Sequence, residues 1–280
     1  MIALFDADIL LYRFAFRNEA EIQWEEGCVS QHEEFERAVF ELNSFVESVR
    51  DRVGADSSRM VFSGNRNFRY DVEPTYKYNR LERPHSPLRD KLKAYIREKY
   101  WCLSMPRIEG DDLLGILTTE MPGRFTVCTI DKDLQQIPGR LYNWDKDVLK
   151  VVTEEEADRF FFYQIIKGDP GDGYSGCPGA GDTLATDFLN NPFKKVPYDY
   201  IFSRGQRKGQ VEVRYDTIPC DDIWEGIVSL YEWKGLDEAE ALKQARLARI
   251  LTTRLYNKST DYPILWTPSI HKETIYGTLQ

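Results

Sequence analysis

Two hydrophobic periods organise this chain. Residues 2–5 are an unbroken apolar run ended by Asp6, which predicts a buried parallel strand with an acid at its C-terminal end. Phe35, Val39, Leu42, Phe45, Val46 and Val49 recur at helical spacing and predict a helix over 33–50. A short strand follows at 59–63. Residues 64–85 have little clean periodicity and read as a loop or partly helical excursion, aromatic and basic. Ser86-Pro87 is an N-cap followed by proline at the first helical position. Leu88, Leu92, Tyr95, Ile96 and Tyr100 give that helix its apolar face. Leu113, Leu114, Ile116 and Leu117 mark another helix within 106–120. Phe125–Ile130 is a third strand ending at Asp131, and residues 140–152 hold one or two more. Thr153 and Glu156 form a capping box that starts a helix over 154–166.

Beyond this point the pattern changes. Residues 168–181, GDPGDGYSGCPGAG, are glycine-rich, and a helix is expected from about Asp182. A hairpin is expected over 200–215, and a helix over 236–256. The alternation of strands and helices predicts an α/β fold with a mainly parallel central sheet. There is no internal repeat. At 280 residues the chain suits one large domain, or one with an appendage.

Charge alters the picture less than its placement. The net charge of −9 argues weakly against a nucleic-acid partner, but basic residues still gather locally. No apolar stretch approaches a membrane span, and the aspartate within the first apolar run argues against a signal peptide. A cytoplasmic location is expected. Five widely spaced cysteines read as free thiols, and three scattered histidines make a zinc site of the usual kind unlikely.

The acids fall into groups at or near predicted element ends: Asp6 with Asp8; Glu109, Asp111 and Asp112; Asp131 with Asp133; Asp169 with Asp172. Ligands of open parallel sheets bind beyond the strands' carboxyl ends, where Asp6 and Asp131 are expected. Carboxylates gathered in one cleft raise each other's pKa, a penalty that hard divalent cations remove. Two such ions about 3.5–4 Å apart suit hydrolysis of a phosphodiester. Glu109 and Asp112 share a helical face whereas Asp111 does not, so joint use of all three needs a loop leading into a helix. Each pair alone is weak; bland readings as caps, turns and solvated faces remain open.

In order along the chain, FDAD (5–8), FR (68–69), YKYNR (76–80), EGDD (109–112), TIDKDLQQ (129–136) and the glycine-rich 168–181 resemble the flap endonuclease / 5′ nuclease superfamily. More narrowly, they resemble the small 5′-to-3′ exonucleases of short-tailed phages. The resemblance implies a PIN-like nuclease core, a helical arch and a helix–three-turn–helix DNA-binding element. It divides the chain into a catalytic core at 1–167, with the arch at 64–85, and a DNA-binding region at 168–280. It implies two magnesium ions, replaceable by manganese, on Asp6, Glu109, Asp111 and Asp112, extended by Asp131, Asp133, Asp169 and Asp172. Asp6 and Asp111 count as catalytic. Asp8 has no firm family role. An aspartate is usual after the second strand, where this chain has Ser63, Gly64 and Asn65.

Within the arch the resemblance assigns Lys77 and Arg80 to the reacting phosphate. Arg69, Tyr76 and Asn79 are further DNA contacts. Gly176, Gly179 and Gly181 are expected to let duplex DNA approach, with a monovalent potassium ion as an additional implication there. Arg204, Arg207 and Lys208 extend the duplex footprint. The implied activity is metal-dependent 5′-to-3′ hydrolysis of DNA with a 5′ end or flap, by a monomer, leaving 5′-phosphates. RNA in a hybrid is a further implied substrate. A PIN-like endoribonuclease, a non-catalytic structure-selective DNA binder and a haloacid-type phosphatase are the alternatives. The glycine-rich segment disfavours the first, the retained acids the second, and the lack of the remaining motifs the third.

Overall fold

The computed structural model describes residues 1–22, 31–80 and 86–270. It divides into two compact units. One comprises Met1–Asp71, Arg80–Asp158 and Ile250–Ile264; the other comprises Val72–Asn79, Arg159–Arg249 and Leu265–Gln280.

The first unit is built on a six-stranded sheet. Its strands are β1 (Ile2–Asp6), β2 (Ser57–Val61), β3 (Cys102–Leu103), β4 (Phe125–Cys128), β5 (Gly139–Asn143) and β6 (Val148–Val152), in the order β3-β2-β1-β4-β5-β6. The order reverses between β1 and β4, the kind of point where open α/β sheets bind ligands. The expectation of a PIN-like core on a mainly parallel sheet needs correction: the sheet is mixed, because β6 runs antiparallel to β5. Only residues 144–147 join those strands, whereas a parallel crossover needs a dozen or more. The Asn143 side chain shapes the turn by accepting from the N–H groups of Asp145 and Lys146 at 3.1 and 3.0 Å.

Helices cover both faces of the sheet. On one side lie α1 (Ala7–Ile22) and α2 (Gln31–Arg52), then, after a four-residue turn α3 (Arg69–Val72), α4 (Pro87–Lys99). They bury Ala3, Phe5, Leu10, Leu42, Met60 and Ile96 in one cluster. Ser86 caps α4 as expected, accepting from Arg89 N–H at 3.2 Å. Helix α1, for which the sequence pattern gives no expectation, takes in Asp8 in its first turn. The opposite face carries α5 (Gly110–Glu120), which packs on β1, β2 and β4. Side chains alternate along a strand, so Asp6 points away from Phe5 and toward the α5 face.

Residues beyond Arg249 do not continue a helix as expected. They run as a strap along α5, with Ile250 N–H donating to Gln136 and Thr253 N–H to Thr119. Gly115 makes the close approach possible, since a Cβ there would meet Leu251 O at 2.3 Å and Ile137 Cδ1 at 2.7 Å.

The main segment of the second unit begins within α6 (Glu154–Lys167), whose predicted capping box forms between Thr153 and Glu156. A run of tight turns leads to α7 (Asp182–Asn190). The hairpin is longer than expected: β7 (Phe193–Ile201) pairs with β8 (Val211–Pro219). Helix α8 (Ile223–Trp233), which the sequence pattern does not predict, is capped by Asp222. Helix α9 (Glu238–Ala248) is shorter than predicted. Among the described residues, no helix is long and apolar enough to cross a membrane.

Helix propensity favours alanine over glycine by about 1 kcal/mol, whereas overpacking costs about 1–3 kcal/mol. The close approach at Gly115 is to backbone, which yields little. Gly115→Ala is therefore expected to destabilise the protein, by up to about 2 kcal/mol net, read as a lower urea midpoint. A higher midpoint would show that the strap is loosely held.

Candidate active site

The acids of the first unit converge from the ends of parallel neighbours. Asp6 ends β1 and is 4 % exposed. Its Oδ1 accepts from Ile9 N–H at 3.2 Å, which caps α1, and its Oδ2 accepts from the buried Thr129 hydroxyl at 3.1 Å. Thr129 Oγ1 in turn accepts from Asp131 N–H at 3.0 Å, and Asp131 Oδ1 from Asp133 N–H at 2.8 Å. A short chain of bonds thus ties the ends of β1 and β4 together. Burial, then the charges of Asp8 and Asp131, push the Asp6 carboxyl up to about 7.

Asp8 belongs to this group, although the family resemblance assigns it no firm role. It stands in the first turn of α1 and accepts from Ser63 N–H at 2.7 Å. Ser63 stands where an aspartate is usual, and its hydroxyl accepts from Gly110 N–H at 3.0 Å. It therefore ties the end of β2 to the start of α5. The alternate spacing of FDAD is the signal for Asp8 in the sequence. Thr129 carries none beyond its position at the end of a strand.

The three acids at the start of α5 separate into different roles. Glu109 is the N-cap, Gly110 opens the helix, and Asp111 is partly exposed in the first turn. Asp112 is fully buried. Its oxygens accept from Arg69 Nη1 and Nη2 at 2.8 and 2.9 Å, from Glu109 N–H at 3.0 Å and from Leu251 N–H at 3.0 Å. This corrects the assignment of Asp112 as a metal ligand, because four donors already occupy its carboxylate. Arg69 is corrected too. It is 2 % exposed and also reaches Glu109 at 3.3 Å, so its guanidinium is committed inside the protein and not to a phosphate.

The other candidates lie in the second unit, except Arg80, which belongs to the first. Tyr76, expected as a DNA contact, is buried. Its ring lies 5.0 Å below Lys77 Nζ. Lys77 takes a left-handed backbone, φ 53°, held by donation of its N–H to Asp172 O at 3.1 Å. Its ammonium is 3.4 Å from Asp172 Oδ2. The side chain of Asp169 accepts from Gly171 N–H at 2.9 Å and so shapes the first tight turn. Arg80 is exposed at the end of a 3-10 turn, while residues 81–85 and the Asn79 side chain lie outside the described residues.

Gly176 is a packing residue, not the expected point of DNA approach. A Cβ on it would meet Gly168 N at 2.3 Å, and its N–H donates to the buried Gln244 at 2.9 Å. Gly181 stands at the N-terminus of α7 with open space around it. Lys234 Nζ lies 3.9 Å from where a Gly179 Cβ would stand. Lys234, hidden in the sequence together with α8, adds a cation beside these turns. Arg204 and Lys208 are exposed between β7 and β8, and Arg207 is half-exposed there.

The family described as 5′-3′ exonuclease, N-terminal resolvase-like domain, matches residues 1–161. The chain belongs to the 5′–3′ exonuclease family. It is 32 % identical to the exonuclease of Escherichia phage T7, over 95 % of this chain and 93 % of that protein. The exodeoxyribonuclease of Enterobacteria phage T3 is similar to the same degree, with the same coverage. A crystal structure of the bacteriophage T5 flap endonuclease, in complex with DNA and metal ions, shares the fold. Its TM-score is 0.59 at 14 % identity, covering 88 % of each chain. The α/β fold with its mixed sheet is thus that of 5′–3′ exonucleases, not the PIN-like architecture expected from sequence. The enzyme is a 5′–3′ exonuclease, a flap endonuclease-like hydrolase.

Two outcomes follow for this exonuclease. Removing one partner of a buried ion pair costs about 3–5 kcal/mol, because the other charge is left uncompensated. Arg69→Met should lower unfolding free energy by about that much, and R69M/D112N should recover part of it. Equal losses in both variants would mean that the pair adds no charge-specific effect.

The raised Asp6 pKa carries a stability term with a definite sign. Native Asp6 holds its proton up to about 7, whereas unfolded it releases it near 3.8. The term is therefore fully present below about pH 4 and lost as pH rises through about 7. Metal-free protein should lose thermal stability across that window. Asp6→Asn should flatten this part of the curve, and added magnesium should restore stability at neutral pH. An unchanged slope in Asp6→Asn would reject the account.

Proposed function

We propose that this exonuclease removes nucleotides from the 5′ ends of duplex DNA with two divalent cations, magnesium first. Asp6, Asp8 and Asp131 carry the reading: they stand at the end of β1, in the first turn of α1 and just past β4, at the switch point of the sheet, and the charges of Asp8 and Asp131 oppose ionisation of Asp6. The donor set is carboxylate oxygen, which suits a hard cation. Among the described residues no three Asp, Glu, His or Cys side chains close into a ready metal cage.

In this reading Asp6, Asp8, Glu109, Asp111, Asp131 and Asp133 surround the cation sites. Asp169 and Asp172 serve the second ion, as the family resemblance implies. When bound, the ions supply an activated water and offset charge on the phosphate. Asp6 gives up its proton as the site is loaded, and Thr129 keeps its carboxylate in one orientation. Asp112 and Arg69 act as positioning residues that fix the first turn of α5, and with it Asp111. Lys77, supported by the Tyr76 ring, and Arg80 receive the scissile phosphate and balance charge as the bond breaks. Gly179, Gly181 and Lys234 lie along the duplex, with a potassium ion at these turns as a further element of the proposal. Flapped DNA and RNA–DNA hybrids are further substrates within the same reading, and the enzyme acts as a cytoplasmic monomer.

Duplexes labelled at the 5′ or the 3′ end, incubated with magnesium or with chelator, test the proposal. The native enzyme should release short 5′-phosphorylated products only with metal. Asp111→Asn should lower the rate on the order of a thousandfold, and Lys77→Ala should lower it by about a hundredfold or more with folding intact. Cleavage in chelator, or full activity of Asp111→Asn, would refute it.

A further inference from the structure

The β7–β8 hairpin differs in charge from the rest of the chain. Between Phe193 and Pro219 it has six basic and three acidic residues, a net +3, whereas the whole chain carries −9. The excess is structured. Arg214 lies 3.6 Å over the Tyr200 ring, and Arg207 lies 3.8 Å over the Phe202 ring. Glu212 stands between the two guanidiniums, accepting from Arg214 Nε at 2.9 Å and from Arg207 Nη2 at 2.5 Å. Alternation along β7 and β8 puts Tyr200, Glu212 and Arg214 on the same face of the ribbon, Tyr200 opposite Glu212 in the register. Arg204 and Lys208 are exposed in the connecting turn, next to this ladder.

We infer that this hairpin is an arm that grips the phosphate backbone of duplex DNA. A guanidinium already lies over each ring, so the arm offers guanidinium edges more than bare rings. That favours phosphate binding over the base stacking that single strands use. Each arginine keeps donors beyond those that Glu212 takes, since a guanidinium has five. The aromatic rings and the shared carboxylate hold both in one geometry, so little side-chain freedom is given up on binding. The charge contrast is the complementarity that a polyanion requires. The inference rests on DNA being the substrate, as proposed above. It adds that one part of the grip is the hairpin.

The test measures binding and cleavage separately. A blunt duplex of about 30 base pairs is titrated in chelator, where nothing is cut, over a range of salt concentrations. R207A/R214A should bind about tenfold more weakly at moderate salt. Its dependence of log affinity on log salt should be shallower by about two, one for each phosphate that is no longer neutralised. With magnesium, its loss of cleavage should be largest at low duplex concentration and shrink as the duplex is raised toward saturation. R207K/R214K, which keeps charge but not the stacked fork, should fall between. R204E/K208E changes only exposed turn residues and should weaken binding in the same way even if the first variant unfolds. An unchanged salt slope in all three variants would overturn the inference. So would an equal or larger drop in affinity for a single strand of the same length. Failure of the native enzyme to cleave DNA at all would instead reject the proposed function.

Discussion

The buried pair between Arg69 and Asp112 is the constraint on which the arrangement of the candidate site depends. It joins three stretches that the chain keeps far apart: the turn after β2, the first turn of α5, and the strap at Leu251. A charge in the interior is tolerated only with full hydrogen bonding, and here the carboxylate has four donors. The arrangement separates two neighbouring acids. Asp112 is used up in holding α5 where it is, and Asp111 is left beside it, partly exposed, on a helix start that cannot shift.

The carboxylates at the end of β1 work in the opposite sense. Burying Asp6 beside Asp8 and Asp131 is unfavourable, and the raised pKa records that cost. A folded protein keeps such a strained group only where the surroundings over-determine it. Ile9 N–H and Thr129 bond the carboxylate, and β2 and β4 flank the strand that ends in it. Hydrogen bonds to Asp6 lower its pKa and so partly offset the repulsion, yet the net shift is upward. The residual is an electrostatic preference for a cation, which gives the metal-dependent reading its physical basis.

Much of this is legible in the sequence because it is local. Apolar runs broken by an acid place Asp6 and Asp131 at strand ends, and Ser86 and Thr153 announce their helices by capping chemistry. Helix α1 is hidden because only the short apolar stretch Ile9–Leu11 follows Asp8 before polar residues mix in, and periodicity cannot tell so short a run from a strand. The antiparallel β6 is within reach, since a connection of residues 144–147 is too short for a crossover. The roles of Glu109, Asp111 and Asp112 are not readable. They are decided by Arg69, 43 residues before Asp112, and by Leu251, 139 residues after it. Tyr76 and Gly176 fail for the same reason: residue type suggests a ligand-binding role, and burial assigns both to packing.

Net charge misleads in this protein because its two signs do different work. In the proposed reading the acids near the end of β1 gather where a cation would remove their repulsion, so that they repel DNA less than their number suggests. Cations meanwhile stand on separate elements: Lys77 over a buried tyrosine, Lys234 beside Gly179, and the arginine ladder of the hairpin. The arginines and Lys77 are positioned by an aromatic ring and a carboxylate, so each has a fixed geometry as well as a charge. At −9 overall the enzyme has little long-range attraction for DNA, and salt screens what there is within about 10 Å. Affinity then has to come from such fixed, short-range interactions, and for that the placement of a few cations matters more than the sum.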